Sequence, residues 1–354
     1  MHYRKLQYRF LSVLLLFVIF SNLTGFANSA DSAEQKQAAP VFRTERFERL
    51  QETPYIIKTS DISAETHIRR MVELETDLST IIYKNEDGSR TAYIFSQPVK
   101  YVDEDGFVKD KDLRLTSLSA NHAFQYQVAD NDVKTFFPKT FGLRGVQLAY
   151  QDLCIALQPY ANHLAKQKAL QTKAAQLQTS GAKETVVYRK ASGMDTDISY
   201  IPTLQGLKCK IKRDENAALG GKQSFQFMLQ TNGMRVFEAD YGYYLAENAQ
   251  SDTRIEIGTP VVYDENLMGI AGTLTFSAVR EAEDYLMTLT IENPLSANAN
   301  WSDLEFDFIV RSADSRAYIE DTTIYSGKPD LATGTWQFDH AGYADSNYKV
   351  GRIL

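Results

Sequence analysis

Four aspartates, Asp103, Asp105, Asp110 and Asp112, crowd the turn at Asp105-Gly106 and carry enough carboxylate oxygen to clasp a Ca²⁺ ion. An EF-hand loop needs an oxygen ligand at its first position and a bidentate Glu at its twelfth. Counted back from Gly106, those positions hold Tyr101 and Asp112, so a solvated hairpin turn competes with the calcium reading. Two further acidic groups, Asp195/Asp197 and Glu281/Glu283/Asp284, have the residue type that glycoside hydrolysis needs, two carboxylates at a set separation. Acids in loops serve equally as solvating charge. Tyr241, Tyr243 and Tyr244 in DYGYYL form the richest aromatic cluster, suited to stacking on sugar rings or to alternating positions of a sheet. His67, His122, His163 and His340 are dispersed without the H-x-x-x-H or H-E-x-x-H spacing of a zinc site, and neither a G-x-S-x-G elbow nor a G-x-x-x-x-G-K-[ST] phosphate loop occurs. These residues identify no reaction and imply no cofactor, so the expectation is a non-enzymatic chain.

The first thirty residues set the address. Arg4, Lys5 and Arg9 precede an apolar run over 10–20 and then the small-residue stretch 25–30, the order of a secretory signal peptide cut after Ala27 or Ala30. The alternative is a membrane anchor over 6–26, but Ser21, Asn22, Thr24 and Gly25 shorten the apolar run below a bilayer's need. Membrane contact is therefore expected only before cleavage, and the mature chain is expected to be extracellular or wall-associated. A net charge of −7 gives phosphates no basic stripe, so nucleic acid is not expected as a partner. In an oxidising compartment Cys154 and Cys209 would close a loop of about 56 residues, worth on the order of 4 kcal/mol in the chain-entropy model. Two buried thiols on different strands are the other reading.

The elements around these residues read as strands. Between 78 and 115, β-branched and aromatic runs are punctuated by Asp87-Gly88, Gln97-Pro98 and Asp105-Gly106, which predicts a β-meander because Gly tolerates the positive φ of a tight hairpin turn. Asn232-Gly233 predicts a further hairpin on the same ground. Residues 159–181 are rich in Ala, Leu, Gln and Lys between Pro159 and Gly181, and predict a solvated helix with a thin stripe of Leu164, Leu170 and Leu177. The expected organisation is a signal peptide (1–30), a flexible leader (31–65), a β-domain with the meander (66–158), a helical insertion or linker (159–181), a second β-region packed on the first (182–314) and the start of an incomplete β-module (315–354). The fold class is mostly β, an antiparallel β-sandwich or meander-rich architecture with one helical insertion.

The meander resembles the N-terminal region of bacterial exported proteins of the DNRLRE-domain and Rhs or wall-associated group. Asn85, Asp87, Gly88, Pro98, Val99, Tyr101, Asp105, Gly106, Lys109, Asp112 and Leu115 fit that group's turn-and-strand pattern, with Phe107 where it usually has Trp. The segment VVYRKASGMDTDISYIPTLQGLKCKI is similar to a second stretch of the group through Val187, Tyr188, Thr196, Asp197, Tyr200, Gly206, Leu207, Lys208 and Ile211, with Cys209 in place of the usual Glu. The tail resembles the opening of a DNRLRE module through Asp321, Ile324, Ser326, Gly327, Pro329, Gly334, Gly342, Tyr343 and Arg352. The resemblance implies a secreted or wall-associated scaffold or adhesive region of a larger surface protein, its partners cell-wall glycan or downstream domains of the same polypeptide. A cell-surface carbohydrate-binding or carbohydrate-active protein is the alternative.

Overall fold

The computed structural model describes residues 67–312, apart from 96, 143, 181–182, 192–195, 215–220, 240–241, 264–268 and 293–300, together with the backbone of 329–330, 335–336 and 348–353. Among the described residues the fold is mostly β with a single α-helix: two large antiparallel sheets form a sandwich. One sheet has eight strands and runs from Thr273–Arg280 through Asp284–Glu292, Lys222–Gln230 and Leu153–Tyr160 to Leu115–Ser117 at the far edge. The other has ten, with Gly206–Ile211, Leu304–Arg311 and Arg254–Gly258 at its centre.

Alternation explains the core. In Lys222–Gln230 the odd positions Phe225, Phe227 and Leu229 are buried, while Ser224 and Gln230 face solvent. In Leu304–Arg311 the even positions Leu304, Phe306, Phe308 and Val310 are buried. A strand's side chains point alternately to opposite faces, so each sheet presents one apolar face and the two close on each other. Phe227 meets Phe306 edge-on at 5.8 Å. Tyr188 stacks on Phe141 at 4.1 Å, and its buried hydroxyl donates to the Pro138 carbonyl at 2.7 Å.

Beside the sandwich lies a small sheet of His67–Arg70, Thr80–Asn85, Arg90–Ile94 and Tyr348–Ile353 in that order. Thr80–Asn85 and Arg90–Ile94 pair across the turn with Gly88 at φ 82°, as expected from Asp87-Gly88. The expected meander stops there. Lys100–Val102 does not continue this sheet but pairs with Val108–Asp110 as a separate hairpin around Gly106 at φ 79°. The link between them is the Leu78 carbonyl, which accepts from the backbone amides of Val99 and Lys100. Pro98, lacking an N–H, interrupts the ladder at this point.

Two further expectations are corrected. Asn232-Gly233 has the positive φ values expected, 49° and 97°, yet joins no hairpin. Lys222–Gln230 pairs within the eight-stranded sheet and Arg235–Ala239 with Gly242–Ala246 in the ten-stranded one, so the turn carries the chain from one layer to the other. Helix covers only Leu164–Gln171 of the expected 159–181, and Ala175–Ser180 is an edge strand paired over six residues with Lys183–Tyr188. Helix propensity is worth only tenths of a kcal/mol per residue, and the available strand edge overrides it. Tyr348–Ile353 runs parallel to Arg90–Ile94 as the fourth strand of the small sheet.

Candidate functional site

The hairpin 100–110 is held on one side by a charge cluster withdrawn from water. Arg70, at the end of its strand, donates from Nε and a terminal nitrogen to the two oxygens of Glu75 at 2.7 and 2.8 Å, and from its two terminal nitrogens to Asp110 at 2.7 and 2.9 Å. The Lys100 ammonium donates to Glu75 Oε2 at 2.9 Å and to the Thr80 carbonyl at 2.7 Å, and the Ile82 amide donates to Glu75 Oε1 at 3.1 Å. Burial by itself would raise the Glu75 carboxyl, but the Arg70 hydrogen bonds and the Lys100 charge outweigh it and hold the group below the usual carboxylate range. Burial pushes the Lys100 ammonium down, with Glu75 opposing. Two cations and two carboxylates thus satisfy one another across three segments of chain, which fixes the hairpin against the small sheet.

On the other side the hairpin is tied to the sandwich. Lys111, buried, donates to the Leu204 carbonyl at 3.0 Å and pairs with Asp132 at 2.5 Å, and the Asp112 amide donates to the Asp130 carbonyl at 2.6 Å. Between hairpin and sandwich edge opens a cleft of about 720 Å³, within the usual range of ligand sites. Its lining includes Tyr101, Asp103, Glu104, Asp105 and Lys109 from the hairpin and Asp130, Asn131, Asp132, Lys134 and Tyr150 from the sandwich.

Burial and mutual charge set the ionisable groups of this cleft. The Tyr101 phenol is pushed up to about 12 by burial and by the charges of Asp130, Asp103 and Asp132, so it stays protonated near neutrality. Burial pushes the Lys134 ammonium down while Asp130 and Asp132 oppose it. It donates to the Ala129 carbonyl and lies 5.6 Å from the centre of the Tyr101 ring. Asn131 is 1% exposed; its amide nitrogen donates to the Thr203 carbonyl at 3.4 Å, and its side-chain oxygen has no hydrogen-bond partner.

The four aspartates considered for calcium are not brought together. Asp110 belongs to the Arg70 cluster, and Asp112 accepts from the amide and the guanidinium of its neighbour Arg114. Asp103 accepts from the amides of Asp105 and Phe107 at 3.1 and 2.7 Å and pairs with Lys109 at 2.9 Å, closing the turn, while Asp105 projects from its tip. Among the described residues no group of three or more His, Cys, Asp or Glu side chains is placed to hold a metal ion.

The other candidates are dispersed too. Tyr241, Asp195 and His340 lie outside the described residues. Tyr243 packs edge-on against Phe276 at 4.9 Å, whereas Tyr244 stacks on Phe237 at 5.2 Å under the Arg254 guanidinium at 4.9 Å, so neighbouring tyrosines serve opposite faces of one strand. Asp197 accepts from Arg189 and from the Lys190 amide, Glu281 accepts from the Tyr285 hydroxyl at 2.9 Å, and Arg280 pairs with both Glu283 and Asp284. His67 bonds to Asn85 and Tyr93 at 2.6 and 2.9 Å. Both cysteines are free thiols: Cys209 points into the core, whereas Cys154 alternates with the core residues Ile155 and Leu157 and lies half-buried on the opposite face of the other sheet.

Sequence reasoning missed Arg70, Glu75, Lys100, Lys111 and Asp132. The one local signal was Lys100 between Val99 and Val102, a charge inside an apolar strand with no neighbour in sequence to pair with.

No family model and no curated protein matches the chain. Among solved structures it is similar to the Slr1438 protein from Synechocystis sp. PCC 6803, at 10% identity and a TM-score of 0.28, over 56% of this chain and 99% of that one. A likeness this loose carries no argument about either fold or function.

Proposed function

We propose that the chain is an exported or wall-associated, non-enzymatic scaffold or adhesive region of a surface protein, which presents the cleft beside its hairpin to a partner. The observation that carries this reading is the buried Arg70–Glu75–Lys100–Asp110 cluster. Its charged groups saturate one another, a use suited to holding two pieces of chain in fixed orientation rather than to moving protons. The positively charged and apolar start of the sequence supports export, and the similarity of the hairpin region to wall-associated proteins supports the surface assignment. Expression with a C-terminal tag, fractionation and N-terminal sequencing test it: extracellular or wall material beginning at Asn28 or Asp31 is the expected result, and an intact Met1 end in the membrane fraction would overturn it.

A second reading, carbohydrate binding, is favoured by the Phe237–Tyr244 stack with Arg254 above it on the outer face of the ten-stranded sheet. Stacked rings beside a guanidinium suit a sugar face and its hydroxyls. Retention on a glycan array that is lost in Tyr244→Ala and kept in Asp130→Asn would move the function to this face.

A further inference from the structure

Sheets guard their outer strands, because an open edge presents unpaired backbone donors and acceptors to any other chain. In the sandwich Leu115–Ser117 is only three residues long, Arg235–Ala239 carries Arg235 and Glu238, and Thr273–Arg280 is bulged before Arg280. Ala175–Ser180, the outermost strand of the ten-stranded sheet, has none of these guards. It pairs over six residues with Lys183–Tyr188 on one side, and residues 174–182 contain neither charge nor proline. The Ala175 amide points away from Lys183–Tyr188 and donates to the Lys139 carbonyl at 3.0 Å. In an antiparallel pair the backbone groups of alternate residues point the same way, so those of Leu177 and Thr179 open outward too. No described strand pairs with them. Leu177 shares the core face with Ala175 and lies opposite Val186, yet it is 38% exposed where Val186 is 0% exposed. Apolar surface and backbone hydrogen-bonding capacity are thus left open on one short stretch.

The edge is also basic. Residues 135–183 hold Lys139, Arg144, Lys166, Lys168, Lys173 and Lys183 against a single acid, Asp152, in a chain of net charge −7. Lys173 precedes the strand, Lys183 follows its turn and Lys139 lies beside Ala175; among the described residues none of the three has an ion-pair partner within 4.0 Å. Glu184, next to Lys183, is engaged by the Leu115 amide. A second copy fits poorly. The two-fold register that uses every open group of Leu177 and Thr179 sets these two residues across from each other and brings Lys173 of each copy beside Lys183 of the other, and like charges directly opposite destabilise a strand pair. We propose that Ala175–Ser180 is a docking edge for an extended segment of another protein, which adds as a further strand, covers Leu177 with an apolar side chain and carries acidic residues at both ends against Lys173 and Lys183. Main-chain hydrogen bonds supply the attachment, and the flanking charges select the segment. The inference goes beyond the scaffold reading by naming the kind of partner, and rests on that reading only for its biological use.

Fluorescence anisotropy of a labelled peptide, DDTVTVTDD, titrated with the purified chain at low ionic strength tests it. Saturable binding is expected, about tenfold weaker in Lys173→Glu/Lys183→Glu, which reverses two charges outside the core. The charge-swapped peptide KKTVTVTKK should reverse the preference and bind the double variant better than the native chain. The acidic peptide N-methylated throughout its five central residues cannot donate to the edge and should lose binding, a readout that leaves the protein itself untouched. No saturable binding, unchanged affinity after N-methylation, or no preference between the two peptides would overturn the proposal. Sedimentation velocity reads the other occupant: a concentration-dependent dimer that the acidic peptide fails to dissociate would give the edge to a second copy and overturn it as well. Fractionation reads export independently, so an edge that fails to bind leaves the surface assignment standing, and a chain retained in the cell leaves the titration interpretable.

Discussion

Lys100 and Glu75 meet at 2.9 Å with both side chains wholly withdrawn from solvent, twenty-five residues apart in sequence. The pair joins the hairpin to the small sheet, and Arg70 and Asp110 complete its charge balance. A buried pair is costly to form and costlier to break, because removing one partner strands the other charge in a medium that cannot solvate it.

Lys100→Met should therefore destabilise the chain by about 3–5 kcal/mol, most of it the cost of the net negative charge left in a buried cluster where Arg70 alone faces Glu75 and Asp110. Lys100→Met/Glu75→Gln should recover part of that loss. Urea denaturation of these two variants and of Glu75→Gln gives the coupling in a double-mutant cycle, and strict additivity would show that the two groups act independently.

The cluster should also be acid-labile. Glu75 has a folded pKa below its unfolded one, so its contribution is present above the unfolded value, roughly pH 4.3, and is lost as pH falls through the folded value. The Ile82 amide, which donates to Glu75, is the local reporter. Its hydrogen-exchange protection should fall on acidification before that of Phe227 in the sandwich core, and simultaneous loss at both sites would place the acid-sensitive groups elsewhere.

Glycines separate by what a side chain would meet. At Gly88 an added Cβ finds open space, so Gly88→Val costs only the left-handed backbone at φ 82°, about 1–2 kcal/mol. At Gly206 the same atom would lie 1.8 Å from the Phe308 carbonyl oxygen, inside the ladder between two central strands. Gly206→Ala should lower the melting temperature several times more than Gly88→Val, and equal shifts would contradict the close approach of these strands.

Thiol labelling checks the placement of the cysteines. Cys154 is partly accessible, and burial raises its thiol pKa, so it should react slowly in the folded state, whereas Cys209 should react only on unfolding. One label under native conditions and two in denaturant is the expected count. No label in denaturant without reductant would indicate a disulfide.

Some of this architecture is legible in short stretches of sequence. Gly88, Gly106 and both residues of Asn232-Gly233 adopt the positive φ their types suggest, and Phe225, Phe227 and Leu229 bury the face their alternation assigns. Backbone torsion and face are set by adjacent residues, so adjacent residues reveal them. Pairing partners are another matter. Nothing near Asn232-Gly233 says that its two strands enter different sheets, nothing in 172–180 says that a strand edge waits at Lys183–Tyr188, and Tyr348–Ile353 finds Arg90–Ile94 across most of the chain. The candidate site depends wholly on this second kind of information. Lys111 reaches a carbonyl 93 residues away, and the acids that resembled a calcium turn are divided among a buried cluster, a turn and an open rim. Electrostatic energy depends on distance and burial, which only the folded chain sets, and so tertiary structure decided which charges are structural and which stay exposed to water.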